Sequence, residues 1–248
     1  MALLDNLSLS QHRLALLERI EYRLAETAED RDAIYRLRYR AYLKEGAVSP
    51  NPQRIVTDRH DEAPNSWIFG IHFEGQVISS VRISIGSPQH PVIPSSDVFP
   101  DLVGSWIAEG KVLVDPTRFV ADPLRGQHLT ALPYMTLRLA YVACAHFNAD
   151  IGLASVREEH QAFYRRVFLH QPVSGPRVYP GLLKPICLMA VNFPAQRDQV
   201  ARRYPFFRST GFERHRLFER HQAAGDSVVP LSRVHVPQLP VRQDAPGE

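Results

Sequence analysis

The chain has 248 residues, 44% hydrophobic and 22% charged, ordinary values for a globular protein that buries one substantial core. Its formal charge of +3 is too small, without a clustered basic patch, to point to nucleic acid. Only Cys144 and Cys187 occur, which excludes a disulfide scaffold and gives no metal-like spacing. The N-terminus lacks a signal-peptide pattern, and no window reaches the ~20 apolar residues of a membrane-spanning helix. A cytoplasmic protein without an integral membrane segment is expected.

In chain order, residues 9–20 read as an amphipathic helix with Ser10 as its cap and Leu14, Leu17 and Ile20 on one face. Residues 21–27 alternate as a strand. Residues 28–46 read as a helix, with acidic residues in its first turn, Ile34, Leu37 and Ala41 as its apolar stripe, and Gly46 closing it. The clearest hairpin is "SWIFGIHFEGQVISSVRIS", turning at Glu74 and Gly75. A proline-rich loop over 86–105 follows, then a strand over 111–120. A long helix comes next, with Thr130 as its N-cap and Pro133 tolerated in its first turn. Residues 150–156 read as a strand, 157–168 as a helix and 184–192 as a last strand. Residues 221–248 read as an extended or partly disordered tail. The order predicts a mixed α/β sheet with helices on both faces.

That order, with a strand, loop and helix after a central hairpin, resembles the GNAT N-acyltransferase fold, whose sheet is mostly antiparallel. Its phosphate-binding loop matches Arg125, Gly126, Gln127, His128, Leu129 and Thr130, but His128 and Thr130 stand where the family has glycines. Amides at a helix N-terminus attract phosphate, and glycines let the backbone approach it closely. A loop without them suits the single phosphate of phosphopantetheine on an acyl carrier protein better than coenzyme A. Alternatively it is an ordinary strand–helix turn.

Four further stretches resemble the FeeM-type N-acyl amino acid synthases and the related LuxI-type acyl-homoserine-lactone synthases. These are Arg36, Arg38 and Tyr42 on the early helix, Asp58 and Asp61 in the next loop, Arg82 on the hairpin, and Asp115, Thr117, Arg118 and Phe119 on the following strand. The resemblance covers residues 20–195, leaving an N-terminal helix over 1–20 and a helical extension and tail over 196–248. It implies an enzyme that moves a medium- or long-chain acyl group from acyl carrier protein, or from acyl-coenzyme A, to the α-amine of an amino acid. No permanently bound cofactor is implied, and no metal-ligand cluster is present in the sequence.

Amine attack on a thioester needs a base, oxyanion donors and an acid for the leaving thiolate. Asp115 or Glu109 is the candidate base, the backbone near Phe119 and Val120 the oxyanion donor, and Tyr164 the acid. Arg38, Tyr42, Asp58, Asp61, Arg82, Arg118 and Phe119 are the candidate substrate-binding residues, with the two aspartates spaced to grip an α-amino group. Asp115 and Arg118 lie an odd number of residues apart, so both face one side only if the strand bulges. Basic residues at 165–166 and 197–203 are candidates for docking an acidic carrier protein, or are a solvated surface. A lactone synthase and a non-catalytic binding module of the same fold are the alternatives. The sequence leaves the acceptor and the oligomeric state open.

Overall fold

The computed structural model describes residues 17–126 and 129–219. The helix over 9–20 therefore lies mostly outside the described residues, as do Gln127, His128 and the 221–248 tail. Seven strands form one sheet: β1 (Ile20–Leu24), β2 (Ser66–Phe73), β3 (Gln76–Gly86), β4 (Leu113–Ala121), β5 (Ile151–Val156), β6 (Gln171–Arg177) and β7 (Ile186–Asn192). Their spatial order is β1-β2-β3-β4-β5-β7-β6. Every neighbouring pair is antiparallel except β4 and β5, which run parallel.

Local chemistry sets the elements that frame the site. Helix α1 (Ala28–Lys44) starts at Thr27, whose side chain and that of Asp30 cap each other's backbone amides. It buries Ile34, Leu37, Arg38 and Ala41 against the sheet. The β2–β3 hairpin turns at Glu74 and Gly75, both at positive φ (51° and 76°), as a two-residue turn matched to strand twist requires.

Three expectations need correction. The proline-rich loop contains helix α2 (Pro100–Ala108), because Pro100 at the first helical position is compatible with a helix start. Helix α3 (Leu132–His146) begins two residues after Thr130, with Ala131 at its cap and no side-chain cap. The turn that closes Leu132 N–H onto the Leu129 carbonyl at 2.8 Å takes up those residues. Strand β6 joins the edge of the sheet where no strand was expected.

Helix α4 (Gln161–Phe168) precedes β6, and α5 (Phe193–Arg203) and α6 (Gly211–Phe218) close the described chain. The expected boundary at 195 therefore cuts through α5. Val200, Phe206, Phe207, Leu217 and Phe218 share one core with Phe69, Val81, Val114 and Met189 of the sheet.

Arg138 of α3, fully buried, ties this C-terminal segment down. Its Nε donates to the Phe206 carbonyl (2.6 Å), its Nη2 to the Arg208 carbonyl (2.7 Å), and its Nη1 to Glu213 (2.6 Å). Glu213→Ala leaves that guanidinium buried without an anion. We expect it to lower unfolding free energy by roughly 3 kcal/mol in urea titrations; an unchanged midpoint would contradict this role for Glu213.

Candidate active site

The two faces of the sheet differ in chemistry. Phe69, Val81, Ile83 and Val114 pack with the helices of one face. On the other, Ser80, Arg82, Ser84 and Asp115 are wholly buried. Polar groups buried at the centre of a sheet are usually partnered. Ser84 Oγ pairs with Ser66 Oγ at 2.7 Å, Ser80 Oγ has no partner among the described residues, and Arg82 and Asp115 belong to the candidate site.

Arg82 donates from Nε to Thr117 Oγ1 (3.1 Å), from Nη1 to Asp61 (2.9 Å), and through both terminal nitrogens to Asp58. Arg38 donates to both carboxylate oxygens of Asp61 at 2.9 Å. Thr57 Oγ1 (2.9 Å) and the Asp58 amide (3.0 Å) add two more donors to Asp61. Arg118 donates from Nε (3.0 Å) and Nη2 (2.6 Å) to Asp58. Its guanidinium also lies 5.8 Å from the Tyr42 ring and 5.3 Å from the Tyr179 ring, within cation–π range.

Burial alone would raise both carboxyls. For Asp58, hydrogen bonds and charge from Arg82 and Arg118 outweigh burial, and for Asp61 the charges of Arg38 and Arg82 do so. Both therefore sit below the usual carboxylate range. Asp61 is inaccessible and accepts from Arg38, Arg82, Thr57 and the Asp58 amide, whereas Asp58 bonds Arg82 and Arg118 and still borders the recess.

Arg118 owes its position to a bulge. Ser80 faces Val120 while Arg82 faces Thr117, so β4 carries one more residue than β3 across this interval. Arg118 sits at φ 55°, a left-handed conformation costing about 1–3 kcal/mol for a side chain other than glycine. The bulge brings Asp115, Thr117 and Arg118 to one side of the sheet, as their odd spacing required. Below it, β4 and β5 pair only at Leu113 with Ile151 and Val114 with Gly152. The two strands diverge beyond, opening a cleft of about 410 Å³ whose lining includes Tyr42, Arg118, Phe119, Ser155, Arg157 and Tyr164. Arg118 also borders a recess of about 550 Å³ with Asp58, Arg59, His60, Asp97 and Tyr179. There His60 Nε2 is 2.7 Å from Asp97.

This geometry agrees with the sequence comparison, in which residues 33–192 match the N-acyl amino acid synthase FeeM family. The chain belongs to the FeeM family. It is an N-acyltransferase of GNAT fold. The solved structure of FeeM, an N-acyl amino acid synthase from uncultured soil microbes, is 19% identical with a TM-score of 0.61, over 76% of this chain and 98% of that one. BjaI, a CoA-dependent acyl-homoserine lactone synthase, is 14% identical with a TM-score of 0.54, over 76% and 89%. The acyl-homoserine lactone synthase LasI is 16% identical with a TM-score of 0.52, over 70% and 90%. At these identities the likeness is one of fold. No curated protein matches the sequence.

In this FeeM-family chain the other candidates fall in different places. Tyr164 is buried and lines the cleft, and burial pushes its phenol up, so it stays a proton donor. Asp115 is buried one layer beneath the cleft, accepting from the Ser95 amide and hydroxyl at 2.8 Å each. Glu109 lies exposed at the C-terminal cap of α2, 3.4 Å from Ser105, outside the cleft lining. Among the described residues no group of three or more His, Cys, Asp or Glu side chains could hold a metal ion. No helix there is long and apolar enough to cross a membrane.

Among the described residues of the expected phosphate loop, the amides of Arg125, Gly126 and Leu129 are bonded within the chain. Asp122 Oδ1 accepts the amides of Leu124 (2.9 Å) and Arg125 (3.0 Å). The amides of Gly126 and Leu129 donate to Asp122 and Gly126 carbonyls. The exposed Arg125 bonds Gln76. Gly126 is needed for packing, since a Cβ there would lie 3.0 Å from Leu132 and 3.1 Å from Ala121. Leu129 packs on the core and Thr130 is exposed. Sequence reasoning missed Ser95, Ser155, His60, Asp97 and Tyr179, which carry no local motif and meet only through the fold.

Proposed function

We propose that the chain is an N-acyl amino acid synthase that transfers a medium- or long-chain acyl group from acyl carrier protein to the α-amine of an amino acid. One observation carries the acceptor assignment. Arg82 and Arg118 share Asp58, and Arg38 and Arg82 share Asp61. Arg118 is the arginine that borders both recess and cleft. An α-carboxylate held there by Arg118 would set the neighbouring amine towards the thioester. The amide freed by the bulge near Phe119 would meet the oxyanion, and Tyr164 would protonate the leaving thiolate.

Two features support a carrier-protein donor. The amides of Arg125, Gly126 and Leu129 are bonded internally, and Arg157, His160 and Lys184 line the cleft beside Glu45, which pairs with Arg157, so basic side chains there can meet an acidic partner. Both cysteines are free and buried, which suits the cytoplasm where such carriers work.

Beyond Pro116 and Tyr164, which line both spaces, the cleft borders an apolar cavity of about 40 Å³. Leu137, Ala140, Cys144 and Gly152 are among its lining. Burial holds its histidine, His170, down at a pKa of about 4, so the ring is neutral and compatible with hydrocarbon. The cavity has room only for the end of an acyl chain, and it is the proposed seat of the chain's terminal carbons. Ala140→Leu is then expected to shift the preference from palmitoyl towards octanoyl donors by about tenfold in competition assays. An unchanged ratio would place the chain elsewhere.

The function itself is tested with purified protein, palmitoyl-carrier protein or palmitoyl-coenzyme A, and each of the twenty amino acids, with products read by mass spectrometry. N-acyl amino acid from the carrier protein supports the reading. Product only from coenzyme A overturns the donor, and homoserine lactones from a producing strain overturn the acceptor.

A further inference from the structure

The acceptor amine must lose protons, yet no carboxylate of the cluster is available to take them. Asp58 and Asp61 are held by arginines, and Asp115 lies beneath the cleft wall. A line of hydroxyls nevertheless connects Asp115 to the cleft. Ser95 Oγ is 2.8 Å from Asp115 Oδ1, and Ser155 Oγ is 2.7 Å from Ser95 Oγ. Ser95 is fully buried, whereas Ser155, on β5, lines the cleft together with Arg118 and Tyr164.

We propose that Ser155 and Ser95 form a proton relay that connects the attacking amine in the cleft to the buried carboxylate of Asp115, with Ser155 as the residue that touches substrate. This rests on the acyl-transfer reading above and assigns a catalytic residue to that site.

Donor accounting fixes the direction of the relay. An ionised Asp115 only accepts, so Ser95 must give it the hydroxyl proton and therefore accepts from Ser155. Ser155 Oγ is left presenting lone pairs to the cleft, where an ammonium can donate. In the step proposed, the ammonium gives a proton to Ser155, Ser155 passes its own to Ser95, and Ser95 passes its own to Asp115. Both hydroxyls end unchanged and Asp115 ends as a neutral acid. The freed amine lone pair forms the C–N bond at the thioester carbonyl. When the C–S bond breaks, the second proton on nitrogen passes through the Tyr164 phenol to the departing thiolate, and Asp115 later returns its proton to solvent. Burial pushes the Asp115 carboxyl up, against the Ser95 donors and the charges of Arg82 and His60, which favours its role as proton store. Tyr179 is the further titratable group that senses it.

The test compares the parent chain with Ser155→Ala, Ser155→Thr, Ser95→Ala and Asp115→Asn. The substrates are palmitoyl-carrier protein and the amino acid that the parent acylates best, over a range of pH. Ser155→Ala is expected to lower kcat about 100-fold, with KM for the carrier protein within about twofold. Ser155→Thr, which keeps the hydroxyl, is expected to stay within about fivefold of the parent. Ser95→Ala and Asp115→Asn are expected to lose the acid limb of the kcat profile. The serine variants keep the comparison decisive if Asp115→Asn fails to fold. Parent-like kcat and pH profile in Ser155→Ala, with product still formed, overturns the relay and leaves the acyl-transfer reading standing. No product from the parent with any amino acid overturns both.

Discussion

Asp61→Asn should lower the unfolding free energy by about 3–5 kcal/mol, a drop in Tm of roughly 10 °C for a chain of this size. Asp61 is reached by Arg38, Arg82, Thr57 and the Asp58 amide, and its side chain is fully buried. Asparagine keeps the shape, removes the charge and offers an amide in place of one acceptor oxygen. Arg38, itself 0% exposed, is then buried beside no anion. The same substitution changes the response to acid. Asp58 and Asp61 are held below the ordinary carboxylate pKa, so their stabilisation is present above about pH 4 and lost as pH falls through their folded-state values. Asp115, pushed up by burial, acts in the opposite direction: its contribution is present at low pH and lost as pH rises through its folded value. Asp61→Asn should therefore flatten the acid side of the stability curve. A loss below about 1 kcal/mol at neutral pH, or an unaltered acid limb, would show that the cluster does not hold the sheet together as described.

Arg118→Lys should lower kcat/KM about 100-fold, mostly through KM for the amino acid, while changing stability little. Both residues are cations and both must adopt the left-handed backbone of the bulge, so the comparison isolates the side chain. Lysine cannot place two donors on Asp58, as Nε and Nη2 of Arg118 do, nor lay a planar group between Tyr42 and Tyr179. Without that orientation the substrate carboxylate is held loosely, and a displacement of about 1 Å at the reacting atoms suffices for such a loss. Kinetics within about threefold of the parent would remove Arg118 from the acceptor site.

The sequence made legible what lies close along the chain. The acidic first turn and apolar stripe of α1, the turn at Glu74 and Gly75 and the strand run of β4 are local, and the odd spacing of Asp115 and Arg118 required a bulge for both to face one side. Helix α2 was hidden because prolines mark both loops and helix starts. Strand β6, "QPVSGPR", carries the residues that argue against a strand and is tolerated only at the sheet edge. Within the site, Arg38, Asp61 and Arg82 were singled out, but their pairing spans 21 and 23 residues, and nothing local says which charge faces which. That Asp58 and Asp61 bond arginines appears only in the fold. Ser95 and Ser155, 60 residues apart, gave no signal because a lone serine on a turn or strand is ordinary.

The match to the FeeM family spans 33–192, yet the aromatic packing that holds the sheet extends past both limits. Phe207 stacks on Tyr141 at 5.3 Å and on Phe168 at 5.1 Å, Phe69 meets Phe218 at 5.5 Å, and Tyr22 of β1 bonds the Met135 carbonyl. The segment matched to the family is therefore smaller than the packed core of the described chain. A fragment trimmed to the shared segment would expose the apolar faces of α3 and β2 to water and offer the β2 edge to other chains. Such a fragment should aggregate before it could be assayed, even with every residue of the cleft still in place.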